Sequence, residues 1–142
     1  MIPPFNKDGN LPKGVHIATW EEFEKRFAIN PDREYLLYYL KKASSALAKA
    51  GSAKIFIDGS FVTDCGIPGD YDMCWQAENV DPNLLDPMFL DVISPRQTMK
   101  DKYRGDIFPE TYGSQSMLDY FQEDREGRKK GVVELNPSYC HD

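Results

Sequence analysis

The run AKIFID, residues 53–58, stops at a Gly-Ser pair, and an extended pattern resumes at YDMCWQA, residues 71–77. The first run is short, rich in β-branched and aromatic residues and bounded by breakers, which predicts a buried strand. The second alternates: Tyr71, Met73 and Trp75 point to one side, Asp72, Cys74 and Gln76 to the other. Two strands divided by FVTDCGIPG commit the centre of the chain to a sheet with at least one apolar face. Everything else must cover that face.

The covering elements are legible on either side. In TWEEFEKRF, Thr19 and Glu22 form a capping box, and Trp20, Phe23 and Phe27 share one helical face. A second helix starts with Asn30 as N-cap and Pro31 in the first turn, carries Leu36, Leu40, Ala43, Leu47 and Ala50 on one stripe, and stops at Gly51. Further on, SPRQTMKDKYRG has Ser94 as N-cap, Pro95 at the first position and Gly105 as terminator. DIFPE then opens a third short strand, SMLDYFQED reads as helical, DREGRKKG as a charged turn and VVEL as a last strand. The expected architecture is α+β, a small mixed sheet with helices packed on it. Residues 1–18, punctuated by Pro3, Pro4, Gly9, Pro12 and Gly14, form an extended arm. Residues 19–142 form a single domain.

Composition sets the outer limits. With 142 residues, 41% of them hydrophobic and 28% charged, the chain can bury an ordinary globular core without disulfides. Cys65, Cys74 and Cys140 show no paired spacing, so free thiols in a reducing cytoplasm are expected. No apolar run approaches a membrane span, and the start of the chain has no apolar leader segment, so no membrane partner is expected. A net charge of −6 disfavours a long nucleic acid as partner, since phosphate neutralisation needs clustered Lys and Arg.

The chemistry concentrates in the acids. Asp70 and Asp72 stand two apart at a loop-to-strand boundary, so they project side by side with Cα atoms about 6.6 Å apart. Without a cation such a pair repels and one pKa rises. A divalent metal turns that repulsion into binding, and Mg²⁺ takes hard oxygen ligands of this kind. The same Asp-x-acid pattern recurs at Asp32–Glu34 and Asp124–Glu126, but in a helix first turn and a charged turn, where it has simpler explanations. Gly59 allows close backbone approach after a strand, and Ser60 adds a hydroxyl donor, a combination suited to an anion. A third acid is expected from Asp106, which opens DIFP; Asp91 is the rival.

A Gly-Ser turn, an Asp-x-Asp strand and a third strand acid resemble the signature of the nucleotidyltransferase superfamily, with its DNA polymerase beta-like fold. The resemblance spans residues 53–109, and LPKGVH, DGSFVT, PGDYD, DIFP and KKGVVEL extend it to a group of small bacterial nucleotidyltransferase-like proteins. It implies that Asp70, Asp72 and Asp106 bind one or two Mg²⁺ ions and carry catalysis. It also implies that Gly59 and Ser60 bind the phosphates of a nucleoside triphosphate. The implied activity moves a nucleoside monophosphate, AMP, onto a hydroxyl of a protein or small molecule, a cognate toxin being one such partner. A non-catalytic antitoxin-like protein or nucleotide sensor is the alternative. One departure stands out: minimal members usually place an arginine soon after Gly-Ser, whereas residues 61–69 hold no Lys or Arg. Lys100 and Lys102, with Arg104, are the expected replacements. Arg128, Lys129 and Lys130 read as an exposed turn, His16 and His141 have no assigned role, and Cys74 reads as packing.

Overall fold

Helix α1, Trp20–Phe27, buries the stripe Trp20, Phe23 and Phe27, and Thr19 caps it by accepting the Glu22 N–H at 3.1 Å. The Glu22 carboxylate does not complete the box. It accepts the Ile2 N–H at 2.8 Å and so ties the N-terminal arm to the helix. Helix α2, Pro31–Ala50, follows the expected bounds, with the Asn30 side chain accepting from Arg33 N and Gly51 in the left-handed region at φ 106°. A Cβ at Gly51 would lie 2.7 Å from the Asn79 carbonyl oxygen, so both conformation and space demand glycine there.

The computed structural model describes residues 1–90, 97–112, 115–116, 122–123, 126–128 and 130–140. Among these, strands β1 (Gly14–Ile17), β2 (Ile55–Asp58), β3 (Tyr71–Trp75), β4 (Gly105–Pro109) and β7 (Gly131–Leu135) form one mixed sheet in the order β1-β7-β2-β3-β4. The short strands β5 (Thr111–Tyr112) and β6 (Gln115–Ser116) make a separate antiparallel pair. Helix α3, Gln97–Tyr103, leads directly into β4. The α+β class and mixed sheet are as expected.

Ile55, Ile57, Tyr71, Met73, Trp75, Ile107, Val133 and Leu135 face the helices and meet Phe23, Phe27, Leu40 and Leu47 in the main core. The other face carries a smaller cluster of Phe56, Cys74 and Val132, with Phe108 against it. The two-residue alternation of YDMCW is therefore real, and it sends Asp72 to the side away from the helices.

Two readings change. The arm is not separate: its residues 14–17 form β1, parallel to β7, while Ile2 and Leu11 are buried in the main core. The segment SMLDYFQED does not start as a helix, because Ser116 pairs with Thr111 in β6; residues 117–121 and 124 lie outside the described set. Asp91, Ser94, Pro95, Lys129 and His141 also lie outside it. No helix among the described residues is long and apolar enough to cross a membrane.

Candidate functional site

Sheet register builds the site. Asp58 ends β2 opposite Asp72 of β3, and Asp72 lies opposite Asp106 of β4. Neighbouring strands run about 4.8 Å apart, so three carboxylate-bearing positions stand level across about 10 Å of sheet. Asp70 precedes β3 by one residue and joins them from the loop. All lie at the sheet end where β2 leaves and β3 and β4 enter. The expected trio of Asp70, Asp72 and Asp106 does share one neighbourhood, with Asp58 as an unforeseen fourth member.

The electrostatics record this crowding. Burial, and then the charges of Asp70, Asp58 and Asp106, push the Asp72 carboxyl up to about 7, with Lys130 opposing. Burial also raises Asp58, which is 4% exposed, against the pull of Lys130 and the Gly59 N–H. The four acids do not form a ready cage. Among the described residues, no three His, Cys, Asp or Glu side chains are gathered so as to hold a metal ion. Burial pushes the Cys74 thiol far up, ahead of Glu110 and Asp58, in keeping with a packing residue.

The Gly59–Ser60 turn runs beside this row. Gly59 has φ 81° and ψ −169°, a region nearly closed to other residues, and a Cβ there would fall 2.1 Å from Asp72 Oδ2. Only glycine lets the turn pass that close to the carboxylate. Ser60–Val62 then form a 3-10 turn with Phe61 and Val62 buried. Arg33, 1% exposed, holds the loop from below. Its Nη1 donates to the carbonyls of Phe27 (3.1 Å) and Phe61 (2.6 Å), and its Nη2 to those of Ser60, Thr63 (2.8 Å) and Cys65.

The expected basic residues part company. Lys100 Nζ stands 3.5 Å from Asp70 Oδ2, at the edge of the row. Lys102 is drawn elsewhere: its Nζ pairs with Asp86 at 2.6 Å, where the Tyr103 hydroxyl also donates at 2.7 Å. Lys102, expected to meet a phosphate, is engaged with Asp86 in this structure. Arg104 lies over the rings of Tyr35 and Tyr39, 6.0 and 5.7 Å from their centroids, and is likewise engaged away from the acids. Lys130 was expected in an exposed turn, but only 18% of its side chain is exposed and its Nζ sits 3.0 Å from Asp58 Oδ2. His16 Nε2 donates to the Pro12 carbonyl at 2.7 Å and has no part in the row.

Asp58, Lys130 and Arg33 were missed for different reasons. Asp58 had a usable signal, since its alternation with Phe56 places it on the Asp72 side of an antiparallel pair. Lys130 had none, being distant in sequence and adjacent only through β7. Arg33 sits between Asp32 and Glu34 and imitates a solvated helix charge. Two larger clefts, of about 760 Å³ beside Ile17, Trp20 and Tyr139 and about 770 Å³ beside Tyr38, Leu84 and Lys102, are lined by none of the four acids.

A family model described as "Family of unknown function (DUF6932)" matches residues 3–136, and the chain belongs to that family. No curated protein and no solved structure matches it.

Proposed function

We propose that the protein is a metal-dependent nucleotidyltransferase of the DNA polymerase beta-like kind, moving AMP from ATP to a hydroxyl of a protein or small-molecule acceptor. One observation carries this reading. Asp58, Asp72 and Asp106 stand level on three adjacent strands, Asp70 joins them, and the Gly59–Ser60 turn runs against Asp72.

The donor set fits a hard divalent cation in kind, because it consists of carboxylate oxygens, and burial together with the charges of its neighbours pushes Asp72 up to about 7. Asp70, Asp72 and Asp106 would hold Mg²⁺, and one or two ions would neutralise phosphate charge and acidify the acceptor hydroxyl. Gly59 and Ser60 would orient the phosphates through backbone N–H and hydroxyl donors. Arg33 would keep that turn rigid, since its guanidinium consumes the carbonyls of Ser60, Phe61, Thr63 and Cys65. The bond formed joins the acceptor oxygen to the α-phosphorus. The bond broken leads to pyrophosphate, which leaves with the electron pair, and the acceptor proton passes to Asp106. The net charge of −6 favours a compact acceptor over a long nucleic acid. The test is transfer of label from α-labelled ATP to candidate acceptors. Asp72→Ala abolishes transfer on this reading, and transfer that survives the substitution rejects it.

A second reading is a non-catalytic interaction protein or nucleotide sensor with the remnant of such a site. It is favoured by the lack of a ready three-ligand cage among the described residues. Titration with ATP, with and without Mg²⁺, separates the two scaffolds from each other and from the enzyme. An interaction protein shows no metal-dependent binding, a sensor binds without transfer, and the enzyme does both.

A further inference from the structure

We infer that Lys130, with the Gly59–Ser60 turn, forms a polyphosphate subsite, and that its ammonium supplies the positive charge missing between Ser60 and Asp72. This rests on the nucleotidyltransferase reading and deepens it by naming the residue that meets the β- and γ-phosphates.

The placement follows from strand order rather than sequence. β7 neighbours β2, with Ile57 opposite Val133. Continued by the same antiparallel step, that register brings Lys130 level with the Gly59–Ser60 turn. Val132 belongs to the small cluster on the face away from the helices, and Lys130, two residues earlier, projects to the same face. That is the face of Asp58, Asp72 and Asp106. The backbone there is fixed on both sides: Lys130 N–H donates to the Gln122 carbonyl at 3.0 Å and Gly131 N–H to that of Leu11 at 2.9 Å. A Cβ on Gly131 would lie 2.1 Å from the Pro12 oxygen, so the close seating of the arm, and with it the position of Lys130, requires this glycine.

Lys130 is also an uncommon sort of lysine for a turn. Its Nζ makes a 3.0 Å pair with Asp58, whose side chain is 5% exposed. Lysine carries a compact charge on a flexible four-carbon stem, so Nζ can shift from a carboxylate oxygen to a phosphate oxygen without moving the backbone. A metal–triphosphate complex keeps net negative charge, which the segment 61–69 has no Lys or Arg to meet. Lys100, a second described cation at the row, stands on the Asp70 flank with 41% of its side chain exposed. Lys130 is the one built into the buried side, next to the turn. Charge-assisted bonds of an ammonium to phosphate oxygen are among the stronger polar contacts available.

Calorimetric titration of the wild type, Lys130→Met and Lys130→Arg with ATP, AMP and inorganic tripolyphosphate in Mg²⁺ tests this. Lys130→Met is expected to lower affinity for ATP and tripolyphosphate by about ten- to a hundredfold, to change AMP by about twofold at most, and to be largely rescued in Lys130→Arg. Should Lys130→Met fold poorly with Asp58 left unpaired, Asp58→Asn/Lys130→Met removes both charges and is compared with Asp58→Asn alone. Unchanged ATP binding in Lys130→Met, or equal losses for ATP and AMP, overturns the subsite while leaving the transferase reading standing. A wild type with no Mg²⁺-dependent ATP binding overturns both.

Discussion

Replacing Asp72 by asparagine removes one charge from the acid row at almost constant volume, and its effect on stability follows from the electrostatics of the site. In the unfolded chain an aspartate titrates at about 3.9. In the folded protein burial and the three neighbouring acids push Asp72 up to about 7. Below the unfolded value both states bind the proton and Asp72 costs nothing. As pH rises through the interval, the unfolded chain releases the proton first, so stability falls until the folded pKa is passed. The whole displacement corresponds to about 4 kcal/mol, and relaxation of neighbouring carboxylates brings the expected cost to about 2–4 kcal/mol above pH 8. Asp72→Asn should recover that amount at pH 8 and almost none at pH 4. At roughly 3 °C per kcal/mol for a chain of this size, the gain is about 6–12 °C in Tm at pH 8.

Differential scanning calorimetry in EDTA at pH 4 and pH 8 reads both points on both proteins. Equal Tm values at pH 8, or an equal gain at the two pH values, would refute the account, because the first denies the repulsion and the second assigns the gain to something other than ionisation. The direction matters as much as the size. A carboxylate that only served packing would lose stability on replacement, whereas a metal-free binding site gains it.

Two further substitutions probe the turn beside the row. Gly59→Ala should cost about 1–3 kcal/mol through backbone strain alone, measured by urea unfolding. Because its Cβ would enter the space of Asp72 Oδ2, label transfer should fall more than stability accounts for; a variant with wild-type stability and transfer would contradict the geometry. Arg33→Met leaves several loop carbonyls without a donor and should destabilise by about 3 kcal/mol or more. Amide hydrogen exchange should quicken first in residues 60–65, and protection there equal to the wild type would show that the guanidinium does not hold the loop.

What the sequence made legible is the part decided within a few residues. Caps at Thr19 and Asn30, the stop at Gly51, the helical stripes and the alternation of YDMCW all rest on contacts between near neighbours, and each appears in the fold. The placement of Asp72 beside Asp106 was within reach for the same reason, since each stands second in a strand that starts at a break in the pattern. Readings that depended on distant partners changed. Glu22 could close its own capping box, but the Ile2 N–H of the buried arm takes its carboxylate instead. Lys102 could reach a phosphate from the end of α3, but Asp86 with the Tyr103 hydroxyl offers a nearer anion. Residues 14–17 look like an arm because, among the described residues, their only ladder is with β7, at the far end of the chain.

The charge balance of the row has the same origin. Residues 61–69 contain no cation, and read along the chain this looks like a loss. Across the sheet the balance differs, because β7 lies against β2 and carries Lys130 to Asp58. Beneath the turn, Arg33 reaches the same loop from α2, seen only in where its hydrogen bonds end. Lys130 thus acts on the carboxylates and Arg33 on the backbone, two tasks that a single arginine in the loop could not perform at once. Periodicity encodes which face a residue takes; strand order decides which charges meet there, and it is the second that sets what the acid row can bind.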